Sequence, residues 1–440
     1  MKPARHSQTL RSPALAYGGA TSDATPGITR NEELYCEAVA LRSLATRHGT
    51  PLYVYSAAMI RARLKAFARA FRGVPHTLCY SVKANSTLGI LRLVAGEGAG
   101  FDVVSGGELQ RVLRVNRKAA GKVVFSGVGK TAAEMELALR SGIMLFNIES
   151  ASELNLLAAT AARLKKQAAI AIRVNPDVSA KTHPYISTGL HQHKFGVPIL
   201  EAQTLYERAA KQPTLKVEGV SVHIGSQITD VGSFQESMER VADLVRTLRE
   251  HGHDIRYIDA GGGLGISYEG AQGSFEKQIG AYARAVTAPL RGLRLHLLLE
   301  PGRSIVGPSG VLLTRVLYRK TNNRKRFLIV DAAMNDLLRP SLYGAYHEIV
   351  PVVRGSREIE ITDVVGPICE TGDFFARDRK LSLTSEGDLL AILDVGAYGS
   401  VLGSNYNTRG RAAEVLVDGA KVRVIRKRES VEDQMRLEAR

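Results

Sequence analysis

The stretch "LCYSVKANS", Leu78 to Ser86, ends a strand-like run on a lysine. Leu78, Tyr80 and Val82 alternate as strand residues do, and Lys83 follows directly. A desolvated ammonium is costly unless it is paired, neutral or covalently used. Taken alone, a solvated strand end would account for Lys83. The rest of the chain changes that reading, because seven more runs of the same kind follow. They are "FDVVSGGE", "KVVFSGV", "MLFNIES", "AIAIRVNP", "GVSVHIGS", "RYIDAGGG" and "LHLLLEPGR". Amphipathic segments such as "ASELNLLAATAARLKK" and "SFQESMERVADLVRTLREHG" lie between them. Strand–helix alternation predicts a parallel sheet, and eight units predict a closed (β/α)8 barrel.

Each run starts apolar and ends polar or glycine-rich. The ends carry Lys83, Ser105-Gly106-Gly107, Ser126-Gly127, Asn147, Arg173 and Asn175, His223 and Ser226, Gly261 to Gly263, and Glu300 to Arg303. Barrel enzymes build their sites at the C-terminal ends of the strands. Lys83 is therefore expected in a shared site with a histidine, a carboxylate, arginines and glycine loops. After Arg303 the pattern becomes successive strands with few helices, such as "RFLIVDAAM", "EIEITDVVG" and "AEVLVDG". This predicts a mostly β second domain. The expected organisation is a disordered tail over 1–25, a segment over 26–47 joining the β domain, a barrel over 48–304 and the β domain over 305–440.

The 440 residues are enough for two domains, and their 45% hydrophobic and 23% charged content is ordinary for a globular protein. No apolar run approaches membrane-span length, and the N-terminus lacks the apolar core of a secretory signal. The three cysteines, Cys36, Cys79 and Cys369, have no paired spacing, which argues for a reducing compartment. The net charge of +16 is scattered and lacks the interleaved aromatics of a nucleic-acid platform. It reads as solvated surface, part of it serving an anionic ligand.

Two lookalikes fail. "VFSGVGKT" has Val124 where a phosphate loop needs its first glycine, and "GGGLGI" has Ile266 where a dinucleotide fingerprint needs its last. What remains of "GGGLG", with Gly262 and Gly263, is either a tight turn or a loop whose N–H groups approach an anion. "EPGRS" adds Gly302 and Arg303, which can bind an anion bidentately. Barrels often hold phosphate at the loops after strands seven and eight, and these are those two loops. A lysine, a phosphate site and a carboxylate at strand ends suggest pyridoxal 5'-phosphate, with Lys83 forming a Schiff base and Glu300 pairing with the pyridine nitrogen. His223 could stack on the ring or bind a carboxylate. "DAAMNDLLRPSLYGAYH" carries Arg339 and Tyr343, "GPICETGDFFA" sets Cys369 beside Glu370, and "DVGAYGSVLGSNYN" sets Tyr398 among small residues. "THPYISTGLHQHKFG" holds His183, His191 and His193 at a spacing that matches no standard metal site, so no metal is expected.

In this order, "YSVKAN", "HIGSQI", "GGGLGI", "EPGRSIVG", "DAAMNDLLRPSLY", "CETGDFF" and "GAYG" resemble the diaminopimelate decarboxylases, fold-type III pyridoxal-phosphate enzymes related to ornithine and arginine decarboxylases. The resemblance implies the barrel-plus-β-domain architecture shared with alanine racemase. It implies decarboxylation of meso-2,6-diaminopimelate to L-lysine and CO2 in the cytoplasm. It also implies residue roles. Lys83 would hold the cofactor and His223 stack on it. Ser226, Gly262, Gly263, Gly302 and Arg303 would surround its phosphate, and Glu300 would pair with the ring nitrogen. Arg303, Arg339, Tyr343 and Glu370 would bind substrate, with Tyr398 touching substrate and cofactor. Cys369 would donate a proton from the partner subunit of a homodimer with shared active sites. Thr371 replaces the serine common in "CESGD" and keeps its hydroxyl. The rival readings are a decarboxylase for ornithine, arginine or carboxynorspermidine, an alanine-racemase-type enzyme, and a non-catalytic cofactor carrier. The "RPSLY" run argues for a distal carboxylate and against the first. The "CE" loop argues against the second, and the β domain against the third.

Overall fold

The computed structural model describes residues 15–18, 32–178, 194–268, 274–355 and 358–438. They divide into two compact units. Described residues between Arg61 and Ile305, other than Ser267 and Tyr268, form the first; the rest form the second.

The first unit is a closed parallel barrel of eight strands. They are β1 (His76–Ser81), β2 (Gly100–Val103), β3 (Val123–Phe125), β4 (Leu145–Ile148), β5 (Ala168–Asn175), β6 (Leu215–Val222), β7 (Tyr257–Asp259) and β8 (His296–Leu299). Each pairs in parallel with its sequence neighbour, and β8 closes on β1 through Leu297 opposite His76 and Leu299 opposite Leu78. All eight runs read from sequence are these strands. Helices cover the sheet's outer face, so strands such as β2 and β4 are buried along their whole length. Cys79, Val124, Leu145, Ala171 and Leu298, from five different strands, pack as one cluster. Outside it, Tyr282 meets Phe234 and Phe67 edge-on at centroid distances of 4.8 Å and 6.4 Å, joining three helices. Truncating any such buried aromatic would cost about 3–5 kcal/mol.

The βα turns are set by side-chain caps. Ser105, Thr131 and Ser150 each accept a hydrogen bond from the backbone N–H of the glutamate three residues on, starting the helices after β2, β3 and β4. These caps fix where the polar strand ends stop and the helices begin, all on one rim of the barrel.

The second unit is β-rich. Its main sheet runs, in spatial order, Phe374–Ser382, Ile359–Val365, Lys325–Val330, Gly310–Asn322, Leu52–Ser56, Ala413–Asp418 and Lys421–Arg426. Leu52–Ser56, counted with the barrel in the sequence reading, pairs instead with Gly310–Leu313 and Ala413–Val417. It is buried on both faces, so its "LYVYS" looks like any barrel strand. Phe374–Ser382 was not read as a strand; its charged "ARDRK" centre masks the pattern. Leu15–Gly18 lies inside the stretch expected to be disordered, yet it pairs with Glu33–Cys36 and buries Leu15 in the β unit's core. Glu33–Cys36 is itself held there by Leu34 N–H donating to Val352 O at 2.8 Å.

Candidate active site

Lys83 sits in a single 3-10 turn, Val82–Ala84, directly after β1. Its Nζ is 2.7 Å from Asp102 Oδ2, and this ammonium is about a third exposed while the Asp102 carboxylate is fully buried. Ser81 Oγ lies 2.9 Å from the same Asp102 oxygen and 2.9 Å from Glu300 O. Asp102 Oδ1 is buried with no hydrogen-bond partner among the described residues.

Behind this pair lies a second buried cluster. Asn147 Nδ2 donates to Asp259 Oδ2 at 2.6 Å and to Ser126 Oγ at 3.0 Å. Ser126 Oγ in turn donates to Glu300 Oε1 at 3.2 Å. Gly261 N–H donates to Asp259 Oδ1 at 2.9 Å, and Asp259 and Glu300 are hydrogen-bonded to each other. Two carboxyls sharing a hydrogen bond must share a proton. Burial, with Asp102 and Asp259 nearby, pushes Glu300 well above the usual carboxylate range. Burial also raises Asp259, but its hydrogen bonds from Glu300, Asn147 and Gly261 oppose that. Both carboxyls are raised, and the proton they share is held within the pair.

His223 follows β6. Its Nδ1 accepts from Gly262 N–H at 3.2 Å, which puts the ring proton on Nε2. Burial, reinforced by the Arg173 and Lys83 cations, holds its imidazole well below the usual range, so it is neutral. Arg173 is in turn paired with Glu149 at 3.0 Å. The loop Gly261–Gly265 is pinned to the loop after β6 by Ile228 N–H to Gly263 O and Gly265 N–H to Ile228 O, both 2.9 Å. A side chain at Gly262 would put Cβ 2.1 Å from Glu300 O; at Gly263, where φ is +106°, it would lie 2.4 Å from Gly225 O. The glycines thus bring this loop onto the strand ends. Arg303, buried after β8, donates through Nη2 to Ser226 Oγ at 3.1 Å. Gly302 packs against Ser81 and Ala84, the turn that carries Lys83.

The remaining candidates lie in the second unit. Arg339 and Tyr343 are on the short helix Arg339–Tyr343. Ser341 Oγ donates to Gly372 O at 2.6 Å, which sets this helix beside the loop of Cys369 and Glu370. Asp373 organises that loop, accepting from Ile368 and Met334 N–H groups at 2.7 Å each. Glu370 is exposed and hydrogen-bonded to Tyr406. Cys369 is exposed, whereas Cys36 and Cys79 are buried. Tyr398 is half-buried with φ of +55°, a conformation rarely adopted by a bulky side chain and characteristic of constrained sites.

The barrel rim thus brings together Lys83, His223, Ser226, Gly262, Gly263, Glu300, Gly302 and Arg303. Sequence reasoning passed over Asp102, Asp259, Asn147 and Ser126 as partners. The signal was present: a charged residue inside the apolar runs "FDVV" and "YIDA" needs a partner. The lysine of the phosphate-loop lookalike has a structural place. Lys130 Nζ is fully buried between Glu153 Oε1 and the carbonyls of Gly127 and Asn147. His183, His191 and His193 lie outside the described residues. No helix among the described residues is long and apolar enough to cross a membrane.

Residues 57–307 match the family model described as pyridoxal-dependent decarboxylase, pyridoxal binding domain. Diaminopimelate decarboxylase of Pseudomonas aeruginosa is 53% identical over 404 residues, which cover 92% of this chain and 96% of the relative. That of Aquifex aeolicus is 48% identical over 405 residues, 91% of this chain and 94% of the relative. The crystal structure of Helicobacter pylori diaminopimelate decarboxylase complexed with L-lysine superposes with a TM-score of 0.87 at 45% identity, covering 90% of this chain and 99% of that one. On a barrel whose rim joins Lys83 to a nest of buried carboxyls, these matches mean that the chain belongs to the pyridoxal-dependent decarboxylase family, in its diaminopimelate decarboxylase branch.

Proposed function

We propose that this enzyme is a carboxy-lyase that converts meso-2,6-diaminopimelate to L-lysine and CO2, the last step of lysine biosynthesis. The observation that carries the reading is a strand-end lysine ion-paired with the buried Asp102, beside the raised buried carboxyl of Glu300, in a chain about half identical to diaminopimelate decarboxylases.

The residues present fit pyridoxal 5'-phosphate. Asp102 Oδ1 is a buried acceptor awaiting a donor, Glu300 shares with Asp259 a proton of the kind a pyridine nitrogen needs, and Arg303 supplies a cation beside Ser226. When bound, this cofactor supplies an electron-accepting ring for the pair released as the carboxylate leaves. Lys83 would hold it through its side-chain amine. His223, neutral and oriented by Gly262, offers its ring face. Ser226, Gly262, Gly263, Gly302 and Arg303 would hold its phosphate. Glu300 would pair with the ring nitrogen and keep it protonated.

The substrate keeps one amino-acid end while losing CO2 from the other. Arg303, Arg339, Tyr343 and Glu370 bind the kept end, with charges opposite to its carboxylate and ammonium. Tyr398 borders substrate and cofactor. Cys369 of the partner subunit protonates the α-carbon, so active sites are shared in a homodimer. The three cysteines are free thiols, which fits a reducing compartment, and we assign the enzyme to the cytoplasm.

The test is direct. Purified protein is incubated with meso-diaminopimelate and, separately, with ornithine, and CO2 and L-lysine are measured. Lysine from the first and no CO2 from the second supports the reading; faster CO2 release from ornithine overturns it.

A further inference from the structure

The guanidinium of Arg339 is held in an enclosure that the reaction as described does not use. Arg339 is 5% exposed, and its Nη1 lies 2.8 Å from His347 Nε2. His347 is fully buried, and its Nδ1 lies 2.8 Å from the carbonyl oxygen of Leu393. A carbonyl only accepts, so Nδ1 carries the ring proton. A guanidinium only donates, so Nε2 presents its lone pair. The two contacts select one tautomer of a neutral imidazole. Tyr268 completes the enclosure. Its ring meets His347 edge-on, with centroids 5.2 Å apart and planes at 77°, and the Arg339 guanidinium lies 4.8 Å over its face. Arg339 is thereby fixed in plane by an aromatic face and in rotation by an acceptor.

This matters because a guanidinium recognises a carboxylate through a planar fork of two parallel N–H groups. A fork free to turn about its last bonds would lose that geometry. A core histidine needing only satisfaction could find water or a backbone carbonyl. Here one ring nitrogen goes to backbone and the other to a single arginine.

We infer that His347, with Tyr268, is a positioning residue that aims Arg339 at the substrate's far carboxylate, so that it sets specificity for a diamino dicarboxylic acid over a diamino monocarboxylic acid. The inference rests on the reading of Arg339 as a substrate-binding residue given above.

The meso substrate has one centre of each hand and the product is L-lysine, so the lost carboxylate comes from the D centre. D-lysine is therefore the same reacting end without the far carboxylate. Holoenzyme variants His347→Gln, His347→Asn, His347→Phe, Arg339→Ala and the double variant Arg339→Ala/His347→Phe are compared in steady state, with D-lysine as competitor. Gln can keep an acceptor near Nε2, whereas Asn can keep only the donor near Nδ1. His347→Phe is expected to raise KM for meso-diaminopimelate about tenfold while kcat changes little, the loss of one charge-assisted hydrogen bond. D-lysine inhibition should be unchanged, and His347→Gln should recover most of the loss. The double variant should be no worse than Arg339→Ala, since His347 acts through that residue. If the Phe variant does not fold, His347→Asn against His347→Gln makes the same comparison. An impaired Arg339→Ala beside an unimpaired His347→Phe or His347→Asn overturns the inference alone. So does a His347 variant that weakens D-lysine and meso-diaminopimelate equally. An Arg339→Ala enzyme with unchanged KM overturns the reading of Arg339 itself, and the inference with it.

Discussion

Lys83 Nζ and Asp102 Oδ2 are joined at 2.7 Å, and of the two only the lysine reaches solvent. The carboxylate holds the amine at the barrel rim, next to the turn of Gly302 and in the field of the Asp259–Glu300 pair. Lys83 is thus an accessible amine with a fixed address. Borohydride treatment of the protein with pyridoxal phosphate should attach the cofactor covalently at Lys83, as read by peptide mass. Lys83→Ala should show no such attachment and only background CO2 release. Equivalent labelling at another lysine in that variant would remove Lys83 from its role.

Glu300 offers a second handle, because its proton and its charge do different things. Glu300→Gln keeps the shape and a hydrogen bond but cannot become a carboxylate. The variant should still trap cofactor at Lys83 under borohydride. Its kcat should fall about 10²–10³-fold, the typical cost of losing one electrostatic stabiliser. Unchanged turnover would mean that the ring nitrogen is not paired with Glu300.

How much of this was legible in the sequence follows the physics of each element. The eight barrel strands are bounded by helices and end on polar residues, so periodicity alone found them. Leu52–Ser56 looks identical to those strands and was misassigned, because a run buried on both faces carries no mark of which sheet it joins. Lys83, His223, Glu300 and Arg303 stand at run ends, where a polar residue draws attention. Asp102 and Asp259 stand inside runs, and their partners Asn147 and Ser126 come from other strands. Those pairings depend on barrel closure, which no local window contains. His347 ends the run "DAAMNDLLRPSLYGAYH" with no visible role for the same reason: its acceptor, Leu393, is 46 residues away.

Glu108 makes the site's electrostatics measurable without turnover. It caps the turn after β2, accepting from Val104 N–H at 2.8 Å. Burial pushes its carboxyl up from 4.5 to about 7, with Asp102 adding to the rise and Lys83 opposing it. An acid raised on folding gives stability that is fully present below about 4.5 and lost as pH climbs to about 7. Glu108→Gln does not ionise and escapes that loss. In cofactor-free protein the variant should gain on the parent between pH 5 and pH 8, by at most about 3 kcal/mol. Denaturant midpoints at the two pH values read this, and a pH-independent difference would contradict it.

Cys369 is the exposed thiol of the three, in a loop held by Asp373. Brief iodoacetamide treatment should modify Cys369 ahead of Cys36, whose thiol burial pushes up to about 12. Modification should abolish lysine production while leaving borohydride trapping at Lys83 intact. Cys369→Ala should behave alike, slower by about 10²–10⁴-fold if the thiol is the proton donor. Near-normal lysine output from Cys369→Ala would reduce the thiol to a structural residue.

The two lesions together test the shared site. Lys83 belongs to the barrel unit and Cys369 to the β unit, and the proposed reaction needs both at one substrate. In a two-fold dimer every contact occurs twice, so each site would take Lys83 from one subunit and Cys369 of the partner subunit. Lys83→Ala and Cys369→Ala proteins are each expected to be nearly inactive. When mixed under conditions that exchange subunits, a heterodimer gathers both lesions into one site and leaves the other intact. Each heterodimer should then recover about half of the parent activity. If each subunit instead used its own lysine and its own cysteine, every site would keep one lesion and mixing would restore nothing. Subunit exchange is verified separately with two affinity tags. Exchange without recovered lysine production would confine the site to single subunits and leave any dimer with a purely structural role.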